Sequence, residues 1–364
     1  MQFYILIFLT VGLLVSLSWY FNSNIPIIFA GVILAIVAGG RADVGFDYLA
    51  YQNVFNAVQS GVDIFLIERF EIGYLLLNWF AVSLGISFNM FLMVYSLITM
   101  GLLVLFLCQL KRPHVASLAL LYYTARFYLT RDFGQIRASL SVIICLFAIR
   151  AIIANRIWRF VFLIIIASLF QRVALVLIPT YLLYVILRRH VTIVTYSFLI
   201  TLAFVFSKFF SGVLQSHAAL FGEYSAYLLD TGVVTVPAVN PVILLQLLIG
   251  FMSVMYFFRL APRIKKVGID EGSGLSLEYT QSISIFYMIG TLVLILLSSI
   301  PIAAGRTSTA LNTLEILIVP LLFIRIFRGN TVLYMFTGFT MIIAYFFFNH
   351  AGIQIFIPYH FYFF

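Results

Sequence analysis

Residues 40–55 read GRADVGFDYLAYQNVF, between an apolar run that ends near Gly39 and another that begins at Ile72. The stretch gathers Arg41, Asp43 and Asp47 with Tyr48 and Tyr51, in a chain that is 64% hydrophobic and only 9% charged. Residues 41–71 hold Asp43, Asp47, Asp63, Glu68 and Glu71 against two arginines, Arg41 and Arg69. A polar island in so apolar a chain marks a segment outside the bilayer, and the runs that flank it read as membrane helices.

Mean hydropathy is +1.13, whereas soluble domains carry charge on about a quarter of their residues. Apolar runs recur at approximately 3–21, 25–39, 72–84, 88–110, 115–129, 140–155, 160–170, 173–187, 191–206, 241–258, 280–300, 308–324 and 331–348. The pattern predicts an all-α polytopic integral membrane protein of roughly 12–14 membrane helices, re-entrant half-helices included, in one membrane domain over 1–364. Residues 41–71 and 207–240 are the main outer loops expected, and 259–279 the main inner one. The first run lacks a basic leader and a small-residue cleavage site, so it reads as a retained helix.

A net charge of +9 would suit a nucleic-acid partner, but its distribution points elsewhere. The basic residues cluster between apolar runs, at Lys111/Arg112, Arg156/Arg159, Arg188/Arg189, Arg259–Lys266 and Arg325/Arg328. That is the positive-inside pattern, and no nucleic-acid partner is expected. Alternation from these clusters puts 130–139, 171–172, 207–240 and 301–307 outside. The acid-rich 41–71 segment also belongs outside, yet two full crossings before Lys111 would place it inside. Residues 72–84 are short for a crossing at about 1.5 Å per residue. A half-helix that enters and returns restores the parity. Cys108 and Cys145 fall within apolar runs, and no phosphate loop or zinc spacing occurs, so no cofactor and no metal are expected.

Arginines at the outer ends of helices run against positive-inside statistics and need a reason. Arg126, Arg131, Arg137, Arg172 and Arg306 are of this kind. An anionic ligand is one reason, since the planar guanidinium suits phosphate oxygens. Pairing with Asp132, Glu223 or a lipid headgroup is the plainer one. Arg137 opens an apolar helix in FGQIRASLS (133–141), where a helix start already favours anions. Among the acids, Asp47 shares its segment with Tyr48 and Tyr51, which lie on one face if it is helical. Glu68 and Glu71 stand at a membrane boundary, where partial burial raises a carboxyl toward the range of a general base. Capping or simple solvation is the alternative for all three. Glu315, in TSTALNTLEILIVP (307–320), lies within an apolar helix beyond Arg306 and is either functional or a structural pair. Tyr224 and Tyr227, in FGEYSAYLLD (221–230), could stack on sugar rings or belong to the interfacial aromatic belt.

In order, GRADVGFDYLAYQNVF (40–55), ERFEIGYLLLNWFAVSLG (68–85), GQIRASLSVIICLFAIRAI (134–152), ASLFQRVALVLIPTYLL (167–183), GRTSTALNTLEILIVPLL (305–322) and IPYHFYF (357–363) resemble the EpsG/Wzy-type polysaccharide polymerases. They are similar to the family's Gly-x-Asp-x-x-x-Tyr loop, Glu-x-Gly-Tyr helix entry, Asn-x-x-Arg helix start and late arginine helix. Two departures are visible. FQRVA (170–174) has Gln171 beside Arg172 where the family has histidine, and Gln135 stands near the expected asparagine.

The resemblance implies a GT-C-like membrane glycosyltransferase at the periplasmic face of the bacterial inner membrane. It implies transfer of a growing undecaprenyl-diphosphate-linked glycan onto a lipid-linked repeat unit, inverting and metal-independent. On that reading Asp47, Glu71 and Arg137 are catalytic. Arg41, Arg126, Arg131, Arg172, Arg306, Glu315, Tyr48, Tyr51, Tyr224 and Tyr227 bind substrate. The implied partners are the lipid-linked oligosaccharide, membrane lipid and a polysaccharide chain-length regulator. The rivals are a flippase or transporter for the same lipid-linked sugar, an O-antigen ligase, and a membrane acyltransferase. The last would need a reactive histidine or cysteine in a polar setting.

Overall fold

The computed structural model describes residues 2–217, 241–262, 275–348 and 353–362. In chain order the first helices are α1 (Gln2–Phe21), α2 (Ile25–Gly39), α3 (Tyr48–Gln59), α4 (Ile72–Ser83), α5 (Phe88–Cys108), α6 (Pro113–Arg126) and α7 (Ile136–Ile153). There follow α8 (Ile157–Phe170), α9 (Leu177–Leu187), α10 (Ile193–Ser216), α11 (Pro241–Val254), α12 (Leu277–Leu296), α13 (Pro301–Asn312), α14 (Glu315–Ile326) and α15 (Asn330–Phe348). Two short strands, β1 (Arg41–Ala42) and β2 (His360–Phe361), form an antiparallel ribbon. The chain is thus an all-α polytopic membrane protein. Seven described helices are long and apolar enough to cross a membrane, and the bent pair α13–α14 makes an eighth. Ile25–Gly39, Ile72–Ser83, Ile157–Phe170 and Arg172–Leu187 are shorter apolar helices.

Local chemistry sets the helix starts. Ser87 Oγ accepts from Met90 N at the head of α5, and Ser276 Oγ accepts from Tyr279 N before α12. Thr192 and Thr195 form a reciprocal capping box at α10. Pro113 and Pro301 occupy first-turn positions, where the missing N–H costs nothing. Leu6, Leu13, Val194, Phe198, Val205 and Phe209 are exposed on helix surfaces, as lipid-facing side chains are.

Two compact units divide the described chain: 1–147, 165–172 and 323–364 in the first, 148–164 and 173–322 in the second. In the first unit, β1 pairs with β2, and Tyr362 N donates to Gly40 O at 2.7 Å. Tyr359 OH donates to Val37 O at 2.8 Å, and Tyr4 OH to Phe356 O at 2.6 Å. The head of α1, the end of α2 and the segment after α15 therefore leave the bundle at one end. At the other end, Trp19 donates to Asn330 Oδ1 at 3.4 Å and packs on the His114 ring at 4.4 Å. Lys111, Arg112, Arg325 and Arg328 flank those two positions in sequence, so two basic clusters share the end opposite the acid-rich segment.

Helix α4 begins and ends beside α3. At its start Phe70 and Tyr74 pack on Tyr51 of α3, and just beyond it Phe88 packs on Tyr48 and Phe55 of the same helix. Its 12 residues rise about 18 Å, against the roughly 30 Å of a bilayer's hydrocarbon core.

In the second unit, Tyr196, Ile243, Val254, Met288 and Ile295 form a buried cluster around α12. The expectation of one continuous apolar helix over 308–324 needs correction. The helix breaks after Asn312, and α13 and α14 meet at 52°. Glu315 therefore opens α14 instead of standing inside a longer helix.

Candidate active site

Glu71 is the centre of the arrangement. It stands at the N-cap position of α4 in extended backbone, and its side chain makes no capping bond. It turns instead to two distant segments of the first unit. Arg137 Nη1 donates to one carboxylate oxygen, and the backbone N–H of Arg172 donates to the other at 3.3 Å. The side chain of Glu71 is 7% exposed and that of Arg137 is 17% exposed.

The approach of the helices makes this pairing possible. A Cβ on Gly73 would stand 2.7 Å from the backbone oxygen of Leu169 and 2.8 Å from its Cβ. Only a residue without a side chain lets the first turn of α4 lie against the last turn of α8, which delivers Arg172. Aromatic rings then close around Arg137. Its guanidinium carbon is 4.3 Å from the Phe70 ring centroid and 5.9 Å from those of Tyr51 and Tyr74. Desolvated cation–π contacts contribute about 2 kcal/mol or more at best. Tyr74 continues the aromatic layer to Tyr95, ring to ring at 6.0 Å, and Asn78 Nδ2 donates to Tyr74 O at 2.7 Å. Burial pushes the Tyr51 phenol up to about 12, with Arg137 acting against the shift.

Asp47 is half-buried at the N-cap position of α3, and it too makes no side-chain capping bond. Tyr48 and Tyr51 lie on one helix face, as their spacing predicts, and both are buried. Tyr48 OH donates to Asn89 Oδ1 at 3.3 Å. Arg41 is fully enclosed: Nε donates to Val44 O at 3.0 Å and Nη1 to Ala38 O, with the Phe133 ring 5.3 Å away. Burial lowers its pKa from the ordinary arginine value. These bonds shape the loop ahead of Asp47.

The remaining arginines are held by other groups. Arg126 lies 4.1 Å from the Phe347 ring centroid and Arg131 4.0 Å from that of Phe127. Arg172 is exposed, and Arg306 is half-buried on α13 of the second unit. Glu315 is fully buried in that unit, where Tyr287 OH donates to it at 3.1 Å. Tyr224 and Tyr227 lie outside the described residues.

Sequence reasoning passed over Phe70, Tyr74 and Asp132 as site residues. Asp132 is buried in a single π-helical turn, Leu129–Gly134, between α6 and α7. Its oxygens accept from Tyr123 OH and Ser139 Oγ, each at 2.7 Å, which ties the end of α6 to the first turn of α7. Burial pushes its carboxyl up to about 6, against those two hydrogen bonds. The aromatic spacing of Phe70 and Tyr74 around Glu71 was the available signal for the cage. Among the described residues, no three His, Cys, Asp or Glu side chains gather as a metal site requires.

A model of the EpsG family matches residues 24–361. No curated protein and no solved structure matches the chain.

Proposed function

The chain belongs to the EpsG family, whose members are Wzy-type polymerases, and from that premise we propose that it joins lipid-linked oligosaccharide repeat units into a polysaccharide. The donor is the growing glycan on undecaprenyl diphosphate, and the acceptor is a sugar hydroxyl of a new lipid-linked unit. The observation that carries this reading is the Glu71–Arg137 pair in its aromatic cage, at the start of the short helix α4.

The chemistry follows from charge. The acceptor oxygen attacks the anomeric carbon, the bond to the diphosphate breaks, and the hydroxyl proton passes to a carboxylate. Arg137 is in contact with that carboxylate before substrate arrives. A diphosphate offers Arg137 a more highly charged partner, with oxygens that suit its fork. The exchange turns the Arg137 guanidinium from Glu71 to the diphosphate, and Glu71 is then placed to take the acceptor proton. Arg137 then stabilises charge that builds up on the leaving group. Attack opposite the diphosphate inverts the anomeric centre. Asp47, uncommitted at its helix start, is the second candidate base. Arg172, Arg306, Arg126, Arg131, Arg41, Glu315, Tyr48, Tyr51, Tyr224 and Tyr227 remain the proposed supporting substrate residues. A chain-length regulator remains a proposed partner.

Sidedness supports a periplasmic reaction at the inner membrane. The ribbon joins residues 41–42 to 360–361, while the basic clusters of the first unit share the opposite end. The positive-inside rule assigns that opposite end to the cytoplasm. In a variant lacking both native cysteines, Ser60→Cys is expected to react with a membrane-impermeant maleimide added from outside. Protection of the introduced thiol until the membrane is opened would reverse the assignment.

A transporter for the same lipid-linked sugar is the second reading, favoured by one observation: Glu315 is buried at a break between two apolar helices. Purified protein supplied with lipid-linked repeat units decides between them. Polymerase activity gives a ladder of multi-repeat products. A transporter leaves single repeats unextended and moves them between leaflets.

A further inference from the structure

Helix α3 and the segment that follows it line an open cleft of about 570 Å³ whose walls include Ala50, Asn53, Leu66, Glu68, Arg69 and Phe70. Its volume lies within the roughly 300–1,000 Å³ of small-molecule sites. Phe70 both lines the cleft and underlies the Arg137 guanidinium at 4.3 Å. The next residue in the chain is Glu71. One aromatic ring thus connects the cleft to the charged pair.

The lining decides what kind of ligand fits. Glu68 and Arg69 are both exposed and of opposite sign, so together they add no net charge. A diphosphate would meet the Glu68 carboxylate here, and the wall is mostly apolar, through Ala50, Val54, Leu66, Ile67 and Phe70, with polar groups only at Asn53, Glu68 and Arg69. A carboxylate, a guanidinium, the Asn53 amide and the Phe70 ring suit a polyhydroxylated ring, which takes paired hydrogen bonds at its edge and apolar contact on its face. Resting on the polymerase reading above, we propose that this cleft seats the acceptor: the non-reducing-end sugar of the incoming lipid-linked repeat unit. Asn53, Glu68 and Arg69 then determine which acceptor is used. The donor diphosphate goes to Arg137.

Ala50→Trp tests this, because Ala50 lies on α3 at the cleft wall and a large side chain there occupies the space. Asn53→Ala is the milder variant, made on an exposed side chain. Both are measured for chain extension in nanodiscs and for binding of the free oligosaccharide released by mild acid from the cell's own lipid-linked units. With active wild type, the expected result is an acceptor KM raised at least about tenfold by Ala50→Trp and about threefold or more by Asn53→Ala, kcat being nearly unchanged. Wild-type KM in both variants overturns the proposal and leaves the polymerase reading intact. Binding by a wild type that does not extend chains, abolished in Ala50→Trp, keeps the sugar site and removes the polymerase. A wild type that neither extends nor binds removes both.

Discussion

Arg137→Ala will yield protein that inserts into the membrane and leaves lipid-linked units as single repeats. The substitution removes the group proposed to meet the leaving diphosphate, and loss of one such donor typically costs about 10²- to 10³-fold in rate. It also takes the Arg137 guanidinium away from Glu71, a carboxylate only 7% exposed in the intact pair, whose other oxygen accepts from the Arg172 N–H. Breaking one half of a buried pair typically costs about 3–5 kcal/mol. The two effects separate in a double variant. Glu71→Gln with Arg137→Met removes both charges, so the thermal midpoint should recover toward wild type while extension stays absent. Long chains from Arg137→Ala would remove Arg137 from the chemistry.

Gly45→Ala should damage the same site from a distance. Gly45 has φ of +116°, and a Cβ there would run into the backbone oxygen of Phe133. A non-glycine residue in such a conformation costs of order 1–3 kcal/mol before any clash. The clash is with backbone, which has no rotamer to change. The loop 41–47 must therefore separate from the turn that feeds α7, and α7 carries Arg137. A midpoint lowered by roughly 5–10 °C is expected, together with a large fall in extension. Gly61→Ala is the control, since Gly61 has φ of +90° with nothing near its Cβ. Its loss should be smaller and confined to stability. Equal behaviour of the two variants would show that the loop contact is immaterial.

Most membrane helices were legible as apolar runs because each must bury its backbone polar groups within itself. The misread boundaries have specific causes. The run at 191–206 stops before Lys208, yet α10 continues to Ser216. Lys208 is exposed, and a lysine on a long stem reaches polar surroundings without ending its helix. Residues 301–307 read as an outer turn, yet α13 is helical there. The hydroxyls of Thr307, Ser308 and Thr313 each donate to the carbonyl four residues back, which hides their polarity inside the helix.

For the site, charge at membrane boundaries picked out Glu71 and Arg137 as individual residues. Their pairing could not be read, because 66 residues separate them and the contact depends on Gly73 meeting Leu169. The ribbon was equally hidden. Two-residue strands carry no alternating pattern, so IPYHFYF gave no hint of its partner.

That ribbon sets an order on biogenesis. Tyr359 reaches back 322 residues to Val37. At about 5–20 residues per second, translation takes roughly a quarter of a minute to a minute to cover that interval. Throughout that wait the nascent protein holds Arg41 and its neighbours without their closing strand, so this end of the first unit is finished only once residues 359–361 have been made. A chain cut short before Tyr359 would have its earlier helices and still lack the strand that pairs with Arg41 and Ala42.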